Sequence, residues 1–121
     1  MRVLGLIFAG TSTQARPAMS LFLEQTMGLR RVEVDGVEAD LFVLPDGAQM
    51  AVASPGGMGG SSRSIGFLVD DLDEAIDTLV RSGVPAGPVN QNADYRYSHF
   101  RAPDGELYEL IQRIEAEARP G

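Results

Sequence analysis

Hydrophobic and polar positions change period along this chain in one order, and the order occurs twice. "RVLGLIFAGT" is an apolar run of strand length. In "TSTQARPAMSLFLEQTMGL", Met19, Phe22, Leu23 and Thr26 recur at helical spacing, with Pro17 fitting a first turn and Gly28 a stop. "RRVEVDG" alternates apolar and polar, as an edge strand does. "EADLFVLPDGAQMAVASP" reads as two strands joined at Pro-Asp-Gly, where Pro fixes φ and Gly accepts positive φ. "PGGMGGSSRS", residues 55–64, breaks the pattern. It reads as a plain linker rather than a lid, and its glycines do not form a nucleotide loop. The order then restarts. "SIGFLVDD" predicts a strand and "DLDEAIDTLVRSG" a helix, with acids in its first turn, Arg81 in its last and a stripe of Leu72, Ala75, Ile76, Leu79 and Val80. "VPAGPVNQ" is a weak, Pro-broken edge strand. "YRYSHFRA" and "LYELIQR" form a second Pro-Asp-Gly hairpin.

The two hairpins are near copies. "FVLPDGAQMAV" (42–52) and "FRAPDGELYEL" (100–110) stand 58 residues apart, and the second has Glu109 where the first has Ala51. The chain thus reads as β-α-β-β-β twice. Each half alone would leave open sheet edges, so the two are expected to join in one α+β fold. That fold is a curved, eight-stranded mixed sheet with helices on its convex side. Module 1 spans about 1–54, the linker 55–63, module 2 about 64–113, and a frayed or short helical tail 114–121. If the second turn pairs Ala102 with Leu107, Phe100 lies opposite Glu109 and His99 points to the other face. That makes His99 a structural or surface histidine.

Composition narrows the chemistry. At 121 residues, 44% hydrophobic, the chain is a single soluble-type unit, with no apolar run long enough to span a bilayer and no signal-like N-terminus. A cytoplasmic location is the expectation. The net charge of −7 repels phosphate backbones and argues against nucleic acid. All ten basic residues are Arg, which excludes lysine Schiff-base chemistry, and the absence of Cys excludes disulfides and thiolate nucleophiles. With one histidine, His99, neither a catalytic triad nor a multi-histidine metal site is readily built.

The quoted segments resemble the vicinal oxygen chelate superfamily, which includes glyoxalase I, extradiol dioxygenases, and fosfomycin- and bleomycin-resistance proteins. "MSLFLEQTMGL" is similar to its "aFYrdvLGl" helix end, and "IGFLVDDLDEAIDTLVRSGV" to its second-module strand and helix. "HFRAPDGELYELIQR" is similar to its "F-x-D-P-D-G-N-x-x-E-L" signature, with Ala102 and Glu106 in place of the usual Asp and Asn. Enzymes of the superfamily usually hold a divalent metal through the first and last strands of each module. The resemblance places those positions at Phe8, Ala51, Ser64 and Glu109. Only Glu109 is a good ligand, and a divalent cation needs three or more O/N donors. No metal or other cofactor is therefore expected. The contrast between Ala51 and Glu109 reads as a duplicated module whose metal site is absent.

The resemblance to the metal-poor, bleomycin-resistance branch implies a small-molecule-binding protein. Its ligand would lie in a concave or dimer-interface cavity lined by Phe8, Phe42, Ala51, Ser64, Arg96, Phe100 and Glu109. Phe42 and Phe100 read as cavity walls or, rather more readily, as core. Tyr95, Arg96 and Tyr97 read as strand formers or as a ligand rim. An acidic protein suits a cationic ligand, although the charge also serves solubility. Exposed edges near 30–40 and 85–92 argue for a homodimer. A second reading is a lyase, isomerase or dioxygenase using Glu109 as acid or base with a weak or atypical metal site. A third is an interaction protein whose cavity is filled by side chains such as Phe8 and Phe42.

Overall fold

The two Pro-Asp-Gly segments fold into hairpins of one kind. In a computed structural model of the chain, which describes residues 1–114, Gly47 N donates to Leu44 O and Leu44 N to Ala48 O. Likewise Gly105 N donates to Ala102 O and Ala102 N to Glu106 O. Each loop is three residues long and ends on a glycine at positive φ, 88° at Gly47 and 81° at Gly105. This is the hairpin form that closes with a glycine bulge. Asp46 and Asp104 brace the loops by accepting the N–H two residues on, at 2.9 and 3.0 Å.

The turn sets the register. Ala102 closes on Glu106 rather than Leu107, so the ladder runs Arg101↔Leu107, Phe100↔Tyr108, His99↔Glu109. This corrects the expected pairing by one residue, and in a pleated strand that exchanges faces. His99 shares a face with Glu109, and Phe100 does not. The first hairpin has the same register 58 residues earlier, with Phe42↔Met50 and Leu41↔Ala51.

The strands are β1 (Val3–Ser12), β2 (Arg30–Val32), β3 (Asp40–Val43), β4 (Gln49–Ala53), β5 (Arg63–Val69), β6 (Asn90–Gln91), β7 (Tyr95–Arg101) and β8 (Leu107–Arg113). The helices are α1 (Arg16–Leu21) and α2 (Leu72–Arg81). The strands form one eight-stranded mixed sheet in the order β2-β3-β4-β1-β5-β8-β7-β6, an α+β architecture. The chain divides into a first unit, Ile7–Ile65, and a second that runs from Gly66 onward and takes in Met1–Leu6. The expected linker, 55–63, lies inside the first unit. The expected tail beyond Ile114 lies outside the described residues.

In the first unit, β1 runs parallel to β4 from Phe8↔Gln49 to Ser12↔Ala53. Pro17 sits in the first turn of α1, where its missing N–H costs nothing. The helix does not continue as α to Gly28. It widens into a π-helical turn, Phe22–Thr26. Met19 and Leu23 still pack on Phe42 and Val52, while Phe22, expected in the apolar stripe, is rotated out and exposed.

In the second unit, Asp71 caps α2 by accepting from Glu74 N at 3.1 Å. Asp73 and Glu74 lie in the first turn and Arg81 in the last, each at the end of the helix dipole that favours its charge. Leu72, Ala75, Ile76 and Leu79 pack on Val69 and Leu110. Val80, expected in that stripe, is exposed. The Pro-rich stretch supplies only the two-residue β6 and an isolated bridge, Ala86↔Phe100. Among the described residues no helix is long and apolar enough to cross a membrane.

Candidate functional site

Strand alternation gives the second unit a face toward α2 and a face away from it. Phe67, Val69, Phe100 and Leu110 take the α2 side. There Tyr108 stacks on Phe100 at 5.8 Å and on Phe67 at 6.0 Å between ring centroids. Leu107, Glu109 and Ile111 take the other side, and the ladder brings His99 to the same place. The Glu109 side chain is only 12% exposed, and it faces the His99 imidazole, Nε2 to Oε1 at 3.6 Å. That distance is too long for a hydrogen bond.

The electrostatics follow from burial. Desolvation pushes the Glu109 carboxyl up to about 7 and the His99 imidazole below its usual value. An ion pair would move each group the opposite way, so at this separation desolvation outweighs attraction. Near neutral pH the site holds a carboxyl close to half-protonated beside a mostly neutral imidazole. The His99 and Tyr97 rings meet edge to face, with centroids 5.9 Å apart and planes at 89°. Such a carboxyl can donate or accept a hydrogen bond, or take up the charge of a cation.

The same place in the first unit is apolar. Leu41 and Ala51, the repeat equivalents of His99 and Glu109, form a buried cluster with Ala53 and Met58, and Phe8 and Val32 pack against it. Met58 comes from the Gly-rich segment. A Cβ on Gly10 would stand 2.8 Å from the Met58 Cε, and one on Gly57 would stand 2.6 Å from the Ala53 Cβ. The segment is therefore a packed loop and not the plain linker expected. Its glycines allow close backbone approach.

The positions that the resemblance assigns to a metal hold Phe8, Ala51, Ser64 and Glu109. Phe8 and Ala51 belong to the apolar cluster. His99 adds one nitrogen near Glu109, which still leaves too few donors for a divalent ion. Among the described residues no three His, Asp or Glu side chains gather to hold a metal. The residues present do not fit the metal centre of the superfamily's enzymes.

The remaining expected site residues scatter. Phe42 is fully buried beneath the π-helical turn, with Leu23 and Val52. Phe100 packs toward α2. Arg96 also faces α2 and pairs with Asp73 at 3.2 Å. Phe100 and Arg96 thus lie on the strand face opposite Glu109. Ser64 is 2% exposed, and its Oγ is buried with no hydrogen-bond partner among the described residues.

One cluster escaped the sequence. Arg16 grips Asp40 through Nε at 3.2 Å and Nη2 at 3.0 Å, Arg31 Nη2 adds a contact at 2.7 Å, and Ser20 Oγ donates at 2.6 Å. Led by the Arg16 hydrogen bonds, these partners hold the Asp40 carboxyl down to about 2. A cavity of about 270 Å³ adjoins the cluster. Asp40 is saturated by these donors, and the cluster ties α1 to β2 and β3.

Structure comparison finds the same architecture in solved proteins. The chain resembles methylmalonyl-CoA epimerase from Mycobacterium tuberculosis at 17% identity and a TM-score of 0.66, covering 96% of this chain and 92% of that one. It resembles a glyoxalase/bleomycin resistance protein/dioxygenase superfamily member from Vibrio splendidus 12B01 at 16% identity and 0.64, covering 88% and 97%. A halotolerant catechol dioxygenase, BphC, matches at 17% identity and 0.74, over 93% of this chain and 40% of that one. No family model matches the chain, and no curated protein matches it in sequence. The repeated βαβββ order, the twin hairpins and these likenesses together show that the chain has the vicinal oxygen chelate fold.

Proposed function

We propose that this protein is a metal-free, cytoplasmic small-molecule-binding protein of the glyoxalase/bleomycin-resistance type, with the Glu109–His99 pair as the polar anchor of its ligand. The observation that carries this reading is a carboxyl on a side chain only 12% exposed, with no donor at hydrogen-bond distance among the described residues. A buried polar group without a partner is costly, and a ligand bearing a hydrogen-bonding or basic nitrogen would relieve that cost. Glu109 near its midpoint at neutral pH suits both a neutral and a cationic partner. The protein is read as a homodimer, with the short outer strands β2 and β6 as the edges to be covered.

Native mass spectrometry of freshly purified protein tests this reading. The expected spectrum is a dimer carrying a bound organic mass that Glu109→Ala loses. A stoichiometric divalent metal would overturn it.

A further inference from the structure

The first unit carries its cavity on the helix side of the sheet. Strand alternation puts Asp40 and Phe42 on one face of β3, and Arg31, the cross-strand partner of Phe42, on the same face. Phe42 packs beneath the π-helical turn with Leu23 and Val52, so Arg31 and Asp40 face the helical segment too. From that segment come Pro17, Ser20, Leu21 and Glu24, spaced i, i+3, i+4 and i+7 along one face. With Arg16 these side chains border a space of about 270 Å³. That is just under the roughly 300 Å³ at which pockets for drug-sized ligands begin, so it suits a smaller molecule.

The charges of the lining are divided. Arg16 uses all three guanidinium nitrogens, two on Asp40 and one on Ser54 Oγ. Arg31 uses only Nη2, on Asp40. One edge of its guanidinium is left without an acceptor among the described residues, and the side chain is 42% exposed. Glu24 is carried in by the π-helical turn, and among the described residues its carboxylate has no donor. The lining is thus neutral in sum, two arginines against Asp40 and Glu24, yet it offers free donors at one place and a free acceptor at another. Leu21 stands beside them, 53% exposed.

We propose that this cavity binds a small zwitterion, with its carboxylate on the free edge of Arg31, its ammonium on Glu24 and its carbon chain against Leu21. The neutral sum selects this class. A simple anion would meet Glu24, and a simple cation would meet the arginines. A guanidinium edge takes a carboxylate through two parallel hydrogen bonds. Asp40 already holds the Arg31 guanidinium, which lowers the cost of ordering it. The site lies on the strand face opposite Leu41 and uses neither Glu109 nor His99, so it stands or falls separately from the proposed function.

The test is an NMR titration of the full ¹⁵N-labelled chain with two isomeric zwitterions. Leucine carries its charges on one carbon, and ε-aminocaproate carries them at opposite ends. One of the two is expected to move the Leu21 and Glu24 amide signals and the Arg31 Nε signal saturably, and which one does so reports the spacing of the charges. Caproate and pentylamine, each lacking one charge, are expected to bind about tenfold more weakly or worse. Glu24→Gln, a change at an exposed position, is expected to weaken the zwitterion by a similar factor and to leave caproate no weaker than before. Glu109→Gln is expected to bind the zwitterion as wild type does. No saturable shift with either zwitterion up to its solubility limit overturns the proposal. Caproate or pentylamine binding as tightly as the zwitterion overturns it, and so does a folded Glu24→Gln that binds as wild type does. Loss of binding in Glu109→Gln would put the zwitterion elsewhere and overturn it as well.

Discussion

His99 stands opposite Glu109 across β7 and β8, at the place where Leu41 stands opposite Ala51 across β3 and β4. The duplicated hairpin therefore presents a polar pair in one unit and an apolar pair in the other. In the first unit Met58 packs with the apolar pair and Ala53. The second unit keeps a carboxyl that burial has pushed up to about 7.

The buried carboxyl gives a pH signature. Its folded pKa lies above the ordinary value of 4.5, so the folded state binds the proton more tightly than the unfolded chain does. The resulting stability is present below about pH 4.5 and is lost as pH rises through about 7. Glu109→Gln removes this dependence. Relative to wild type, the variant should gain about 3 kcal/mol between pH 4.5 and pH 8. Urea unfolding of both proteins at these two pH values measures it, and parallel curves would contradict the burial argument.

His99 works in the opposite sense. Its folded pKa lies below 6.5, so its contribution is complete above that value and is lost as pH falls toward the folded pKa. His99→Asn should therefore destabilise the protein less at pH 5 than at pH 8. Thermal melts across that range check the sign.

Asp40→Asn should lower stability at pH 7, because it takes from Arg16, Arg31 and Ser20 the carboxylate they share. Asp40 has a folded pKa of about 2 against an ordinary 3.8, so its stabilisation is lost as pH falls through that window. The gap between variant and wild type should narrow at pH 2.5. An unchanged gap in denaturant midpoints would show that the pairing carries no weight.

Ser64→Ala removes a buried hydroxyl with no partner among the described residues. It should leave the free protein unchanged or stabilise it by up to about 1 kcal/mol. A loss of more than that in chemical unfolding would reveal a bond the hydroxyl makes.

What could be read in the sequence was local. The strand and helix periods, the acids in the first turn of α2 and the twin Pro-Asp-Gly turns depend on neighbouring residues, and the α+β architecture follows from repeating them. The facing of His99 was also encoded. A glycine in the third loop position signals a three-residue hairpin, and counting from it puts Ala102 opposite Glu106. The 58-residue offset that aligns Leu41 with His99 gives the same answer. The role of Met58 was not legible. A Gly-rich run looks alike whether it swings free or packs at close quarters, and only the distance to Gly10 decides. The Asp40 cluster was hidden for a related reason, since its partners come from 9, 20 and 24 residues away.

The strand β1 has a consequence for folding order. Its residues Ile7–Ser12 complete the first unit, but Val3–Leu6 belong with the second, where Arg2 O accepts from Asp70 N at 3.4 Å. This stretch must therefore wait for strands that lie far along the chain from it. Such distant pairings slow folding, because loop closure has to precede the contacts that reward it. Cleavage in the Gly-rich loop would give two fragments, and the later one would lack part of its own sheet. Duplication wrote this chain as two sentences, but a clause of the second is printed at the head of the first.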